Sequence, residues 1–573
     1  MNALDWIVLL GTMLGIAAYG TWRTRHTDHL DTYLKGNRNT SWITIGISVA
    51  ATQASAITFL SIPGQGFESG IGFVQNYFGL PLALIIVCAV FLPIYRRLGV
   101  YTAYEYLGNR FDQKTRLLGA IFFLLQRGVQ SGITIYAPAI ILSTVMGWPV
   151  KITIILIGVV VVIYTVTGGS AAVNLTQKWQ MAVIFGGMVT AFIVLVTKLP
   201  ADALHIAGAL GKLEAVDFSF DPDKRYTFWT GLFGGLFLSL SYFGTDQSQV
   251  QRYIGGAALR EGRLGLMFNA LLKIPMQLFI LLLGALVFVF YQFQPDTPVF
   301  FNRVEWQRYV DGPDGAKFRA LEDKHAALHR DRQEKLRTWT AVRTSEDAAL
   351  ESAARTALLG AQKAVDDVRR EAKAALTAAN PRVNVKDSDY VFIGFILAQL
   401  PHGIIGLLVA VMFAAALGSK AGELNALGTT TTIDLWRHFR PLAELDEARN
   451  IRNAKGWTAF WGAFAILFAV FVSFEENLIE ATNIIASLFY GVVLGMFLVA
   501  FFLKSVRGTA VFWAALGAEG LIFALFFLRN AYPALKFSYL WYNLIGCAAC
   551  VVFSLLLQAV LGDRSRRTPA TDA

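Results

Sequence analysis

Apolar runs of about twenty residues recur along this chain, separated by short polar stretches that hold most of the charge. About twenty helical residues cross a hydrocarbon core of roughly 30 Å. The pattern predicts membrane-spanning helices near residues 4–22, 42–65, 73–97, 117–146, 151–168, 173–198, 227–246, 264–292, 404–436, 456–474, 479–503, 509–529 and 537–561. That makes an all-α integral membrane protein of about thirteen transmembrane helices. The loop after the first span holds Arg23, Arg25, Lys35 and Arg38, and the loop after the third holds Arg96, Arg97, Arg110, Lys114 and Arg116. Later alternate loops hold Arg252, Arg260 and Arg263, then Arg437, Arg440, Arg449 and Arg452, and the tail holds Arg564, Arg566 and Arg567. Basic loops stay on the cytoplasmic side. The expectation is therefore a multi-pass protein of the cell (inner) membrane with its N-terminus outside and its C-terminus cytoplasmic. The first span lacks a basic start and is followed by Arg23 and Arg25, so it reads as a retained helix, not a cleaved signal.

One stretch breaks the pattern. Residues 293–388 are rich in Ala, Arg, Glu, Lys and Leu, and Gly312, Pro313 and Gly315 interrupt their entry. Arg319 to Arg343 and Ser345 to Ala379 read as two helices, the second capped by Ser345. Leu350, Leu358, Val365, Val368, Ala372 and Leu376 form an apolar stripe on it. The expectation is an extracytoplasmic helical hairpin inserted between membrane parts 1–292 and 389–573. His325 and His329, four apart on its first helix, could hold a metal, but two solvated histidines are the better reading, and no metal site is expected.

Composition agrees with the bilayer. Charged residues make up 16% of the chain, against roughly 25% in soluble domains. The net charge of +10 lies in short loops between spans, which argues against a nucleic-acid partner. Cys88, Cys547 and Cys550 all fall in apolar runs and read as small apolar residues.

The second span, from Ile47 through Ser48, Thr52, Gln53, Ser55 and Thr58 to Leu60, is crowded with small and hydroxylated residues and runs into Pro63-Gly64-Gln65-Gly66. Small residues permit close helix packing. They also permit unwinding that frees carbonyls to face an ion, and both readings stand. Further elements follow: Tyr104-Glu105-Tyr106-Leu107 in an inner loop, Gly168-Gly169 through Ala172-Val173 to Gln177 between the fifth and sixth spans, Thr245-Asp246-Gln247 with Val250-Gln251-Arg252, and Ala414-Ala415-Ala416-Leu417-Gly418-Ser419-Lys420 in the ninth.

In this order, these elements resemble the sodium:solute symporter family, over roughly 1–290 and 390–560. Ala54-Ser55-Ala56-Ile57-Thr58-Phe59-Leu60 and Tyr136-Ala137-Pro138-Ala139 resemble its organic-anion, vitamin and iodide branch. The resemblance implies a LeuT-type 5+5 inverted repeat, here about 42–198 and 227–474, with solute held at mid-membrane between discontinuous helices. It implies a symporter that imports a small polar or anionic solute by alternating access, with Na+ as coupling ion and no other cofactor.

Carried over residue by residue, the family's ion site falls on the carbonyls of Ala51, Ala54 and Ala415, and its paired hydroxyls fall on Gly418 and Ser419. One hydroxyl is thus missing. The family's acidic residue falls on Gln177, and the next residue on the ninth span is Lys420. A lysine inside a span costs roughly 2.5–3.5 kcal/mol, so Lys420 needs a partner or a role. Either its ammonium occupies or abuts the ion site, or it pairs with Glu423 and snorkels at the inner mouth. The family's solute contacts fall near Thr58, Tyr77, Asp246 and Lys273. Lys273 sits in an apolar run and reads as cavity-lining. Asp246 reads as a solute contact or as a partner of Arg252. Gln53, Gln126 and Gln130 line the pathway or bond neighbouring helices. A sensor or an ion-independent facilitator on the same fold is the rival reading, and solute flux discriminates the sensor. No nucleophile with a base stands in the spans, and His402 stands alone at an outer boundary, so an enzyme is not expected. Oligomeric state is not legible.

Overall fold

The computed structural model describes residues 1–24, 41–53, 55–98, 100, 102–254, 258–343, 347–436, 438, 447–472, 476–529, 531–532 and 535–562. The described residues are helical or irregular, with no strand among them. In chain order they form α1 (Ala3–Thr24), α2 (Trp42–Gln53) and α3 (Ala56–Ser69), then a 3-10 segment Gly70–Tyr77. Next come α4 (Leu80–Ile86), a π turn Val87–Phe91, α5 (Leu92–Leu98), α6 (Ala103–Arg110), α7 (Gln113–Met146), α8 (Val150–Thr197) and α9 (Ala203–Ala209). A π turn Thr230–Gly234 leads into α10 (Gly235–Gly244), followed by α11 (Gln247–Ile254) and α12 (Leu259–Phe293). Then follow α13 (Arg303–Val310), α14 (Gly315–Val342), α15 (Ala348–Ala379), α16 (Ser388–Gln399) and α17 (Ile404–Thr430) with a π extension Thr431–Trp436. The chain closes with α18 (Glu447–Phe471), α19 (Leu478–Phe502), α20 (Gly508–Leu528) and α21 (Tyr539–Leu561). Helix makes up most of the described residues in each of the thirteen apolar stretches. Eight helical segments among the described residues are long and apolar enough to cross a membrane in one piece.

The expected separation of the fifth and sixth spans is not found. Val150–Thr197 is one helix of 48 residues, about 72 Å at 1.5 Å per residue. Gly168 and Gly169 lower helix propensity without forbidding helix, and no proline stands there to end it. The side chain of Gln177 lies outside the described residues, as do Ala54, Ser345 and the orienting Arg25, Lys35, Arg38, Arg437, Arg440, Arg564, Arg566 and Arg567.

The first helix of each expected repeat is broken. Between α2 and α3 the backbone at Ser55 is extended. Thr58 Oγ1 donates to the Gln53 carbonyl at 2.9 Å, satisfying one of the carbonyls that a helix end leaves without a donor. Between α10 and α11, Asp246 Oδ1 accepts from Ser248 N at 2.8 Å and Ser248 Oγ at 2.6 Å, as a helix-capping carboxylate does. Glycines let α3 lie directly on its neighbours. A Cβ on Gly284 of α12 would stand 2.1 Å from the Pro63 carbonyl oxygen, and one on Gly64 would stand 2.3 Å from that of Ser388.

Helices α14 and α15 pack against each other as a hairpin, and α15 is capped by Asp347. Leu358, Val365, Val368, Ala372 and Leu376 are buried as the stripe predicts, while Leu350, in the first turn at the hairpin's end, is 49% exposed. His325 and His329 are not solvated: both are buried, because their face of α14 lies on the end of α12, where His329 Nε2 meets the Tyr291 carbonyl at 3.0 Å. His402 is not alone either. Its Nδ1 lies 2.8 Å from Asp5 Oδ2, and Asp5 Oδ1 accepts from Gly403 N at 2.6 Å, so α1 caps the start of α17.

Candidate functional site

The two broken helices meet at one cavity of about 130 Å³, lined by α2, α3, α7, α10, α12, α17 and α19, with only the first break itself on its wall. Gln53, Ser55 and Thr58 line it from the first break, and Asn76 and Tyr77 from the 3-10 segment. Arg127, Gln130 and Thr134 contribute from α7, Lys273 from α12, Glu423 from α17, and Asn483 and Tyr490 from α19. Thr58, Tyr77 and Lys273 thus meet on one wall. Gln130 is on the wall and also donates to the Thr482 carbonyl at 2.8 Å, while Gln126 donates to Gln130 at 2.6 Å.

Asp246 is not on the cavity wall. Its carboxylate binds the Arg127 guanidinium and accepts from Tyr490 OH at 2.6 Å. The partner is Arg127, not Arg252, because the break between α10 and α11 turns the side chain toward α7. Arg127 also bonds Tyr490 OH at 3.0 Å and lies 3.6 Å from Glu423 Oε1. Arg127 was not anticipated, although a charge inside the run Phe122-Phe123-Leu124-Leu125-Gln126-Arg127 is the same signal that marks Lys273 and Lys420. The inner-loop motif belongs to this assembly: Tyr104 OH donates to the Thr245 carbonyl at 2.9 Å, and Ala103 N donates to Gln247 Oε1 at 3.0 Å. The two motifs that stand far apart in the sequence are docked together.

Lys420 does not snorkel. It is 2% exposed, and its ammonium reaches Glu423 Oε2 at 3.0 Å and Ser131 Oγ at 3.1 Å, together with the Ser131 carbonyl and Thr134 Oγ1. Thr134 Oγ1 also donates to Glu423 Oε2 at 3.0 Å. The ammonium thereby sits in an oxygen cage on α7. Arg127 and Lys420 balance Asp246 and Glu423, so this buried network is neutral. Lys273 stands apart. It is 5% exposed, its ammonium lies 5.4 Å over the Tyr77 ring, and among the described residues no carboxylate lies within ion-pair distance of it. Ala51, Ala415, Gly418 and Ser419 are all buried, Ala51 in the last turn of α2, where carbonyls lack donors within the helix. No group of three or more potential metal-ligating side chains occurs among the described residues.

Residues 33–295 and 371–517 match the model of the "Sodium:solute symporter family". The chain is 32% identical to the human sodium/iodide cotransporter over 45% of its own length, an alignment spanning 41% of that protein. It is 24% identical to the mouse sodium-coupled monocarboxylate transporter 2, over 98% of this chain and 84% of that one. Among solved structures, a substrate-bound, outward-open Na+-coupled sialic acid symporter superposes with a TM-score of 0.72 at 22% identity, covering 98% of both chains.

Proposed function

This chain belongs to the sodium:solute symporter family, a multi-pass membrane transporter and no enzyme, and on that premise we propose that it imports a small organic anion held by Lys273 in the central cavity. The carrying observation is charge. The Arg127–Asp246–Glu423–Lys420 network is neutral, which leaves the Lys273 ammonium as the cavity's uncompensated charge. A buried ammonium without a counterion is costly, and a solute carboxylate in a site of this size removes that cost. Tyr77, Thr58, Gln130 and Asn483 surround the same space and supply hydroxyls and amides to orient the solute. The sodium/iodide and monocarboxylate relatives are named for anions.

For the coupling ion, Na+, this reading uses the carbonyls of Ala51, Ala54 and Ala415 and the hydroxyl of Ser419, with Gly418 offering no hydroxyl and Gln177 no charge. Hard oxygen donors suit a hard cation. Lys420 is held instead by Ser131, Thr134 and Glu423. Alternating access follows from solute and ion together biasing the outward and inward states. The N-terminus is placed outside and the C-terminus in the cytoplasm of the cell's inner membrane, which puts the hairpin of α14 and α15 outside.

Uptake of pyruvate into proteoliposomes, with a gradient of Na+ or of choline, tests this. Na+-driven uptake is expected, reduced about tenfold or more by Lys273→Gln, since a charge-assisted hydrogen bond is worth about 1.5–3 kcal/mol. Uptake of a neutral sugar but of no carboxylate would sink the anion assignment. Equal uptake in choline would instead make the protein an ion-independent facilitator with Lys420 as its fixed cation.

A further inference from the structure

A second and larger cavity, of about 340 Å³, lies where the hairpin meets the membrane part. Its walls come from the end of α3, the loop after α9, the end of α12, the facing sides of α14 and α15, and the start of α16. Residues 296–370, which include α13, α14 and most of α15, fall between the two stretches matched by the family model, so one side of this cavity is built by what the family pattern lacks.

The wall carries five basic side chains, Lys212, Arg332, Arg369, Arg370 and Lys373, against three carboxylates, Glu68, Asp366 and Asp387. The carboxylates are already engaged. Asp387 holds Arg369 at 2.8 Å and Lys373 at 2.9 Å. Glu68 holds Lys386 at 2.9 Å, and Asp366 accepts from Gln362 at 3.0 Å. Arg332 is 3% exposed. Its Nη1 donates to Gln362 at 3.0 Å, but Nε and Nη2 have no partner, and no carboxylate among the described residues lies within ion-pair distance. Lys212 donates to the Glu68 carbonyl at 2.7 Å and lies 4.3 Å over the Phe288 ring, likewise without a carboxylate. A buried guanidinium with two idle donors, facing a cavity, is a ready-made receptor for a planar oxyanion. Phe67, Phe288 and Tyr291 form an aromatic wall beside it.

We propose that this junction is a second anion site, which takes a small organic carboxylate with its charge on Arg332 and Lys212 and its apolar part on the aromatic wall. Burial lowers Lys212 to about 8 and Arg332 to about 10, outweighing the nearby carboxylate of Asp366, which raises both. The site is separate from the central cavity but not isolated from it: Phe67 and Glu68 end the same helix whose first turn, at Ile57 and Thr58, lines the transport site. An anion bound outside therefore touches the helix that the solute touches inside.

Calorimetric titration of the detergent-purified full chain with benzoate, and separately with inorganic phosphate, tests this. Benzoate binding is expected to persist in Lys273→Gln and to weaken about tenfold or more in Arg332→Gln, from the loss of a charged hydrogen-bonding pair. It is expected to weaken in Lys212→Gln as well, and phosphate is expected to bind more weakly than benzoate. Loss of all benzoate binding in Lys273→Gln would show that the central cavity is the sole site. Binding unchanged by both Arg332→Gln and Lys212→Gln, or absent from the unmodified chain, would overturn the assignment. Phosphate binding as tight as benzoate would overturn the role of the aromatic wall, and with it the organic ligand. If Arg332→Gln does not fold, the half-buried Lys212 decides alone: Lys212→Gln must weaken binding or the assignment falls.

Discussion

Lys273, Lys420 and Arg127 are all cations inside apolar spans, yet they do different work, and the difference lies in their neighbours. Lys420 is enclosed by oxygens from Ser131, Thr134 and Glu423. Arg127 joins Asp246, Tyr490 and Glu423. Lys273 has an aromatic ring and a cavity. Breaking a buried pair by removing one partner strands the other charge, at a cost of about 3–5 kcal/mol. Arg127→Met is therefore expected to destabilise the protein by about that much, since it strands Asp246 and part of Glu423. Arg127→Met combined with Asp246→Asn should recover a large part of the loss. Thermal unfolding in detergent checks this, and a double variant no more stable than the single one would contradict the pairing. That Lys273 and Lys420 are special was legible from the sequence, since charges inside apolar runs are conspicuous, while Arg127 carried the same signal and was not anticipated. Of their pairings, that of Lys420 with Glu423 was among the readings and is found, but that of Arg127 was not: Asp246 was expected at Arg252 or at the solute, because sequence neighbours are the partners a sequence displays.

At the scale of elements, the breaks between α2 and α3 and between α10 and α11 do what uninterrupted helices cannot, exposing backbone and capping groups at mid-membrane. The run of small residues from Ser48 to Thr58 left the first break as one of two readings, and the Thr245-Asp246-Gln247 motif stood out in the sequence without being read as a break. The continuity of Val150–Thr197 was not legible, because a Gly-Gly pair tolerates both a turn and a helix. The hairpin was legible as helices from composition and stripe, but its docking was not, which is why His325 and His329 were expected in solvent. Burial lowers His325 to about 3, with Arg369 and Arg332 facing it. Burial and Arg332 lower His329 to about 4, against the Tyr291 carbonyl, which raises it. A base whose folded pKa is depressed binds fewer protons folded than unfolded, so stability falls as pH falls. The loss sets in below the unfolded value of about 6.5 and continues toward the folded values. Protection of the amides in α14 and α15, taken relative to the intrinsic exchange rate at each pH, is therefore expected to fall between about pH 6.5 and pH 5, with a loss of up to about 2 kcal/mol per histidine. His325→Leu should blunt the effect. Protection that stays unchanged across this range would show that the fold does not hold these histidines below their unfolded value.

At the scale of the whole molecule, the chain is a bundle in which two broken helices meet at one cavity and a docked hairpin builds another. If ion and solute bias one outward–inward equilibrium, their coupling is reciprocal. Na+ should tighten pyruvate by some factor, typically about 5- to 150-fold, and pyruvate should tighten Na+ by that same factor. Ser419→Ala should reduce both together. Calorimetry in each order measures the two factors, and a factor of one in both would end the symport reading. What the sequence determined by itself is the membrane-spanning framework, the family pattern, the hairpin as a separate helical stretch, and which residues sit where charge is costly. These follow from local quantities, the length of an apolar run and the spacing of residues along one helix. Only the tertiary structure decided that Arg127, from α7, meets Asp246 at the break before α11 and Glu423 on α17. It alone decided that Lys273 has no counter-charge among the described residues, and that α14 buries two histidines against the end of α12. Burial and pairing are properties of surfaces brought together from distant parts of the chain, and those surfaces exist only once the helices have packed.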